Sequence, residues 1–300
     1  MGNKLLAHLG LLIANLIYAL NYTFAKDVMP EYIQPSGFIL LRIIGGVFLF
    51  GTSYIFFVKE KISKSDLLLF GICGFFGIAV NQLLFFEGLN LTTPINAAII
   101  MTLTPILVIL LSKFSLKEKI TFQKTLGASL GLGGAIILIL NGGMFNVNFN
   151  HMQGNLFILI NATSYALYLV LIKPLMLKYH PITVMTMVFL FGLIFVLPFG
   201  LVELLSVEWG TFSEKIILEV LFVVVCTTFI AYLFNASALK YVMPSTVSIY
   251  IYLQPLLATV VAILLKSDKL DGIKIISSIF IFLGIYLVSR NVKAEEENLF

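Results

Sequence analysis

Residues 88–140 read GLNLTTPINAAIIMTLTPILVILLSKFSLKEKITFQKTLGASLGLGGAIILIL. A similar pattern occurs again at residues 238–290, ALKYVMPSTVSIYIYLQPLLATVVAILLKSDKLDGIKIISSIFIFLGIYLVSR. The two copies align without a gap at an offset of 150 residues, and two prolines coincide: Pro94 with Pro244, and Pro105 with Pro255. Each copy predicts an apolar helix opened and bent by proline, a short charged loop and a second apolar helix. An internal repeat in a hydrophobic chain is typical of membrane transporters.

The composition predicts an integral membrane protein. Of the 300 residues, 60% are hydrophobic and 11% are charged, and the mean hydropathy is +1.04. A water-soluble protein could not cover so much apolar surface with so few charges, so membrane lipids are the predicted surroundings. The net charge of +4 is small and scattered, and no basic cluster is interleaved with aromatic residues, which argues against a nucleic-acid partner.

Ten stretches are long enough to cross a membrane, since a spanning helix needs about 20 apolar residues at about 1.5 Å each. They are residues 5–25, 36–57, 67–89, 95–113, 123–140, 153–173, 182–203, 215–239, 245–265 and 273–290. Five helices per repeat is an odd number, so the second half must enter the membrane in the opposite orientation. The predicted fold is therefore all-α, with ten transmembrane helices as two inverted five-helix repeats, residues 1–145 and 146–300. Such repeats place a binding site between them, near the midplane.

The basic residues indicate the orientation of the chain. If the N-terminus is cytoplasmic, most of the 19 Lys and Arg residues flank the inner ends of the predicted helices. By the positive-inside rule, we therefore expect a multi-pass protein of the cell membrane with both termini in the cytoplasm. The charged turn at residues 117–119, between the fourth and fifth helices, is predicted to be solvated.

The stretch 110–140 contains an apolar helix, a Leu-x-Glu-x-Ile-Thr turn and a Gly-x-x-x-Gly-x-x-Gly helix. Together with Ala/Gly-Leu-x-x-x-x-Pro before the fourth and ninth helices, and Arg42 early in the second, it resembles the EamA domain of the drug/metabolite transporter superfamily. The resemblance covers essentially the whole chain as two EamA-like halves. The second half departs from the pattern at Asp268 and Ser277, which replace the turn glutamate and the first helix glycine. Members of the superfamily move amino acids, drugs, sugars and other metabolites, so the resemblance implies transport and leaves the cargo open.

Polar side chains within the predicted spans should turn toward the interior of the bundle, because they are destabilising in lipid. The predicted substrate-binding residues are amides and phenols: Asn15, Tyr18, Asn81, Gln82, Tyr165, Tyr232, Asn235, Tyr252 and Gln254. An uncharged, aromatic lining that forms hydrogen bonds suits a small polar or amphipathic metabolite. The alternative is that these side chains form hydrogen bonds between helices without binding cargo.

Pro105 and Pro255 are predicted to gate or line the transport path. Each removes a backbone donor and frees the carbonyl oxygen four residues earlier, at Met101 and Ile251. Since the repeat pairs the two bends, a shared role in the path is favoured over the alternative, a kink that serves packing alone.

Arg42 and Glu87 are the charges placed most clearly inside predicted spans, both toward the outer side. We expect either an ion pair between them or an anchor for a charged group of the cargo. Glu87 is also the best candidate for a proton-coupling carboxylate. The alternative is that Glu87 extends to the interface and Arg42 packs structurally.

The sequence therefore predicts a secondary-active transporter, an exporter or exchanger of a small metabolite such as an amino acid, working by alternating access around a central cavity. No nucleotide-binding Gly-x-x-x-x-Gly-Lys-Ser/Thr motif occurs, and no cofactor is expected. The alternative is a membrane-embedded lipid-modifying enzyme, which needs Asp, Glu, His or Cys clustered at membrane depth. The three histidines lie near or beyond the span ends, and no Asp lies within a predicted span, so no catalytic residue and no metal site is predicted.

Overall fold

The computed structural model describes residues 2–92, 97, 100–141, 152–264 and 271–290. Every regular element in these ranges is helical, and a shorter apolar helix, Thr104–Ser115, accompanies seven helices that are long and apolar enough to cross a membrane. Those seven are Asn3–Asn21, Pro35–Val58, Lys64–Leu91, Met152–Lys178, Pro181–Leu205, Glu214–Tyr241 and Gly272–Ser289. The predicted all-α membrane fold is thus confirmed, and the number of ten spans stays a prediction. Pro94 and Asp268 lie outside the described residues.

The helices follow the predicted spans in order. We label them α1 (Gly2–Val28), α2 (Pro35–Ser53), α3 (Leu67–Gly74, Phe75–Val80 and Asn81–Leu91), α4 (Thr104–Ser115), α5 (Phe122–Asn141), α6 (Met152–Leu171), α7 (Pro181–Leu205), α8 (Glu214–Phe222, Val223–Ile230 and Ala231–Tyr241), α9 (Pro244–Ile249, Tyr250–Tyr252 and Leu253–Leu264) and α10 (Gly272–Arg290). A short helix, Lys173–Lys178, continues α6 after a turn at Ile172.

Three helices change their winding: α2 ends in a π-helical segment, Tyr54–Val58, and α3 and α8 change partway along. The middle segments of α3 and α8, Phe75–Val80 and Val223–Ile230, are π-helical. Because π turns are rare and often occur at functional sites, these segments point to the residues that follow them. Gln82 and Tyr232 are each the second residue after the π turn ends.

The predicted proline bends are breaks in the helix. A turn at residues 102–103 interrupts the chain just before α4, and Pro105 is the second residue of that helix. In α9, the 3₁₀ turn Tyr250–Tyr252 separates two α-helical segments, and Pro255 is the third residue of the second segment. A proline is tolerated in the first turn of a helix because that turn lacks backbone acceptors for its N–H groups anyway.

The chain forms two compact units, and each takes helices from both halves of the sequence. The first unit contains residues 1–87 and 171–241, and the second contains residues 88–170 and 242–300. The division into repeats at residues 1–145 and 146–300 describes the sequence pattern and stays a prediction.

The first unit is held together by antiparallel packing of α2 on α7. A carboxylate in the last turn of α7 caps the start of α2, and a carboxylate after α2 caps the start of α7. The N–H of Gly37, in the first turn of α2, donates to Oε2 of Glu203 at 2.8 Å. Glu60, which follows α2, accepts from the N–H of His180 at 2.9 Å and from Oγ1 of Thr183 at 2.6 Å, at the start of α7. Negative charge is favourable at a helix N-terminus, so both caps stabilise the pair.

Replacing Glu203 by Ala should lower the free energy of unfolding by about 1 kcal/mol, because the first turn of α2 loses its acceptor. The measurement is unfolding of the detergent-solubilised protein. Glu208→Ala removes an exposed carboxylate from the loop that follows α7 and is the matched control. Equal stability of the two variants would contradict this role of Glu203.

In the second unit, α5 and α10 approach each other through glycine. A Cβ atom added to Gly127 would lie 2.8 Å from the carbonyl oxygen of Gly284, and one added to Gly284 would lie 2.6 Å from the carbonyl oxygen of Gly127. A Cβ on Gly131 would likewise lie 2.4 Å from the ring of Tyr252. Small residues at these positions therefore let the backbones come together, as in other membrane helix pairs.

The prediction of a solvated turn at residues 117–119 is wrong for Glu118. Only 5% of this residue is exposed, and its Oε1 accepts from Nζ of Lys124 at 2.8 Å and from the hydroxyl of Ser245 at the start of α9. Lys124 is 1% exposed. The sequence shows a short charged loop but not the helix start that covers it, so the burial of this ion pair could not be predicted.

Lys124→Met should lower the free energy of unfolding by about 3–5 kcal/mol, because the buried Glu118 would keep its charge without this partner. Lys113→Met, which removes an exposed lysine at the end of α4, is the control and should have little effect. A Lys124→Met protein as stable as the control would show that the ion pair does not support the fold.

Candidate functional site

A hydrogen bond between α3 and α8 lies at the centre of the site. Nε2 of Gln82 donates to the hydroxyl of Tyr232 at 3.0 Å, and both side chains are buried. Oε1 of Gln82 is buried and accepts no hydrogen bond from the residues that the structure describes. A buried amide oxygen without a donor costs about 1–3 kcal/mol, so a ligand that supplied a donor here would be stabilised.

Two further predicted residues join this pair. Nδ2 of Asn235 donates to the hydroxyl of Tyr18 at 3.1 Å, which links α8 to α1. The rings of Tyr18 and Tyr232 meet edge to face with centroids 6.5 Å apart, and Phe189 of α7 packs against Tyr232 at 5.2 Å. The polar cluster, defined as Tyr18, Gln82, Tyr232 and Asn235, thus brings together four of the nine predicted substrate-binding residues.

Arg42 lies beside the polar cluster. It is 4% exposed, its Nε donates to Oγ1 of Thr228 at 3.2 Å, and its guanidinium carbon lies 5.7 Å from the centroid of the Phe86 ring. Thr228 precedes Tyr232 by four residues on α8, and Phe86 follows Gln82 by four residues on α3. Four residues make about one helical turn, so the guanidinium lies about one turn from the Gln82–Tyr232 hydrogen bond.

The structure does not form the ion pair expected between Arg42 and Glu87. Glu87 is half-buried and accepts from the hydroxyl of Ser36 at 3.4 Å. Arg42 instead contacts Thr228 and Phe86, and no salt bridge joins it to a carboxylate among the described residues. The second expectation for Arg42, an anchor for a charged group of the cargo, stays a prediction.

The first unit also contains Asn15 and Asn81. Asn15 is buried on α1, and its Nδ2 donates to the carbonyl oxygen of Leu11 at 2.8 Å. Asn81 is half-buried and immediately precedes Gln82, at the residue where α3 resumes its α-helical winding. The part of these two residues in binding stays a prediction.

Tyr165, Tyr252 and Gln254 belong to the second unit. The ring of Tyr165 stacks on that of Tyr168, with centroids 5.9 Å apart. Tyr252 is fully buried, and its hydroxyl has no hydrogen-bond partner among the described residues. Gln254 is half-buried and directly precedes Pro255. Their predicted role in binding stays a prediction.

Sequence reasoning missed Thr228 and Phe86, the two contacts of Arg42. The available signal was their spacing, because each lies four residues from a member of the polar cluster on its helix. The sequence contained no signal for the π turns before Gln82 and Tyr232. Across residues 2–92, 97, 100–141, 152–264 and 271–290, no three His, Cys, Asp or Glu side chains could hold a metal ion.

Comparison with known proteins shows that this chain is similar in sequence to transporters. An uncharacterized transporter of Archaeoglobus fulgidus is 25% identical, and the match covers 94% of this chain and 96% of the relative. The uncharacterized transporter YyaM of Bacillus subtilis is 24% identical over 80% of each chain. The WAT1-related protein At3g18200 of Arabidopsis thaliana is 28% identical over 94% of this chain and 78% of its own length. A crystal structure at 19% identity shares the fold, with a TM-score of 0.78 over 97% of this chain and 98% of that one.

The family assignment rests on two matches that together cover most of the chain. Residues 5–140 and residues 152–290 each match the EamA-like transporter family. The resemblance seen in the sequence is therefore confirmed. Seven long apolar helices and transporters as relatives agree with this assignment. The chain is a multi-pass membrane transporter for a small molecule, and it belongs to the EamA-like transporter family of the drug/metabolite transporter superfamily.

Proposed function

We propose that this protein is a secondary-active transporter of the cell membrane that exports or exchanges a small metabolite such as an amino acid. Both termini are cytoplasmic, and transport proceeds by alternating access around a central cavity. The observation that carries the proposal is the polar cluster, which holds amides and phenols among apolar helices and leaves Oε1 of Gln82 without a donor from the described residues.

The chemistry of the polar cluster suits binding better than reaction. Amide and phenol groups both donate and accept hydrogen bonds, and they keep their protons at neutral pH. A small polar molecule could therefore exchange hydrogen bonds with Gln82 and Tyr232, while the rings of Tyr18 and Phe189 contact its apolar part. Substrate binding of this kind needs no cofactor, and a gradient or exchange supplies the energy.

Conformational change in this proposal uses the interrupted helices. The π turns of α3 and α8 and the breaks before Pro105 and Pro255 are places where helical hydrogen bonding is already irregular. Discontinuous helices of this kind line the cargo path in other secondary transporters. Glu87, half-buried with Ser36 as its donor, is the proposed proton-coupling residue.

Tyr232→Phe should raise the KM for transport about 3- to 10-fold, because it removes one hydroxyl from the polar cluster and leaves the ring in place. The cargo is first identified by thermal shift of the purified protein against amino acids, nucleosides, sugars and cationic drugs. Uptake of the compound that binds is then measured in liposomes that contain each variant.

Tyr286→Phe is the control, because Tyr286 is an exposed tyrosine on α10. It should leave the KM unchanged. If Tyr232→Phe transports with the KM of the unsubstituted protein, the polar cluster does not bind the cargo. If no compound of the panel crosses the membrane, the proposed function itself is contradicted.

A further inference from the structure

Arg42 is a buried cation without a carboxylate partner among the residues that the structure describes. Only 4% of the surface of this residue is exposed, so the rest of it is out of contact with water and lipid. Its two contacts are the hydroxyl of Thr228 and the ring of Phe86, and neither carries a full negative charge. No described Asp or Glu lies within salt-bridge distance of its nitrogen atoms. A buried charge is strongly destabilising unless an opposite charge accompanies it.

The guanidinium of Arg42 is held in one orientation and has N–H donors that bond to none of the described residues. Its Nε–H is fixed by Oγ1 of Thr228, while the two terminal nitrogens donate to no residue that the structure describes. The ring of Phe86 covers the group from one side. A guanidinium fixed in this way presents a planar pair of N–H donors, which matches the two oxygens of a carboxylate.

A hydrogen-bond acceptor for a second group of such a ligand, Oε1 of Gln82, lies about one helical turn from the contacts of Arg42. Phe86 follows Gln82 on α3, and Thr228 precedes Tyr232 on α8, in each case by four residues. Four residues correspond to a rise of about 6 Å along an α-helix. Oε1 of Gln82, which accepts no hydrogen bond from the described residues, would receive an ammonium or hydroxyl group of the ligand.

We propose that Arg42 binds the carboxylate of the cargo and that Gln82 accepts from a donor on the same molecule, so that the cargo is a small amino acid. This inference rests on the proposed transport function and narrows its substrate class. The carboxylate supplies the negative charge that the first unit lacks around Arg42. A phosphate group, which carries up to two charges, would require further cations, and the polar cluster contains none.

The test uses the full-length purified protein and three sets of probes: the common L-amino acids, their α-amides and the corresponding decarboxylated amines. At least one amino acid should raise the melting temperature, whereas its amide and amine should not. Arg42→Gln should weaken binding of that amino acid about 10- to 100-fold, because a charge-assisted, two-pronged hydrogen bond is lost. Arg42→Lys keeps the charge without the planar fork and should bind with intermediate affinity.

Two further variants separate binding from folding. Thr228→Val keeps the shape of the side chain but removes the acceptor that orients Nε, so it should weaken amino-acid binding while Arg42 is intact. Lys215→Gln removes an exposed cation that pairs with Asp27 and should bind like the unsubstituted protein. Without ligand, Arg42→Gln should melt near the unsubstituted protein, since the charge it removes has no counter-ion among the described residues. A purely structural Arg42 would give a clear loss of melting temperature.

The outcomes distinguish this inference from the proposed function. Equal stabilisation by an amino acid and its amide, unchanged binding in Arg42→Gln, or no stabilisation by any amino acid would overturn the role of Arg42. Uptake of a sugar or a cation with unchanged KM in Arg42→Gln would also overturn it and would leave transport standing. An amino acid that binds through Arg42 but does not cross sealed liposomes would instead contradict the proposed function.

Discussion

Inside a membrane, a polar side chain is destabilising unless the protein supplies its hydrogen-bond partner. The helices of this protein meet this requirement by packing so that polar side chains contact such partners. Gln82 and Tyr232 satisfy it by bonding to each other between α3 and α8. Lys124 and Glu118 satisfy it as a buried ion pair at the end of the membrane-spanning region. The described residues leave the requirement unmet at several buried atoms, and we infer a ligand at two neighbouring ones, Oε1 of Gln82 and the guanidinium of Arg42.

The polar cluster is held by a scaffold within the first unit. Its side chains come from α1, α3 and α8, while the reciprocal caps at Glu203 and Glu60 fix α2 against α7. Arg42 on α2 and Phe189 on α7 extend from that pair to the cluster. The fixed pair α2 and α7 thus holds neighbours of the cluster in a defined geometry, which is what selective binding of a small molecule needs.

The sequence predicted those features of the structure that depend on a single residue or on a long run of apolar residues. Apolar length predicted the helices, and Pro105 and Pro255 predicted the breaks in α4 and α9. The polar residues of the cluster were identified from the sequence, but their pairing was not. The pairing depends on the π turns of α3 and α8, which the sequence pattern does not reveal. Glu118 was misjudged since its burial depends on Ser245, a residue far along the chain.

Counterflow measures the central claim most directly. A labelled amino acid that binds the protein is added outside liposomes that contain it, and its uptake is compared between liposomes preloaded with the unlabelled compound and empty ones. A transporter that alternates between two faces predicts saturable uptake that preloading accelerates, because each return step carries cargo. Uptake that is absent, or that neither saturates nor responds to preloading, would contradict the account.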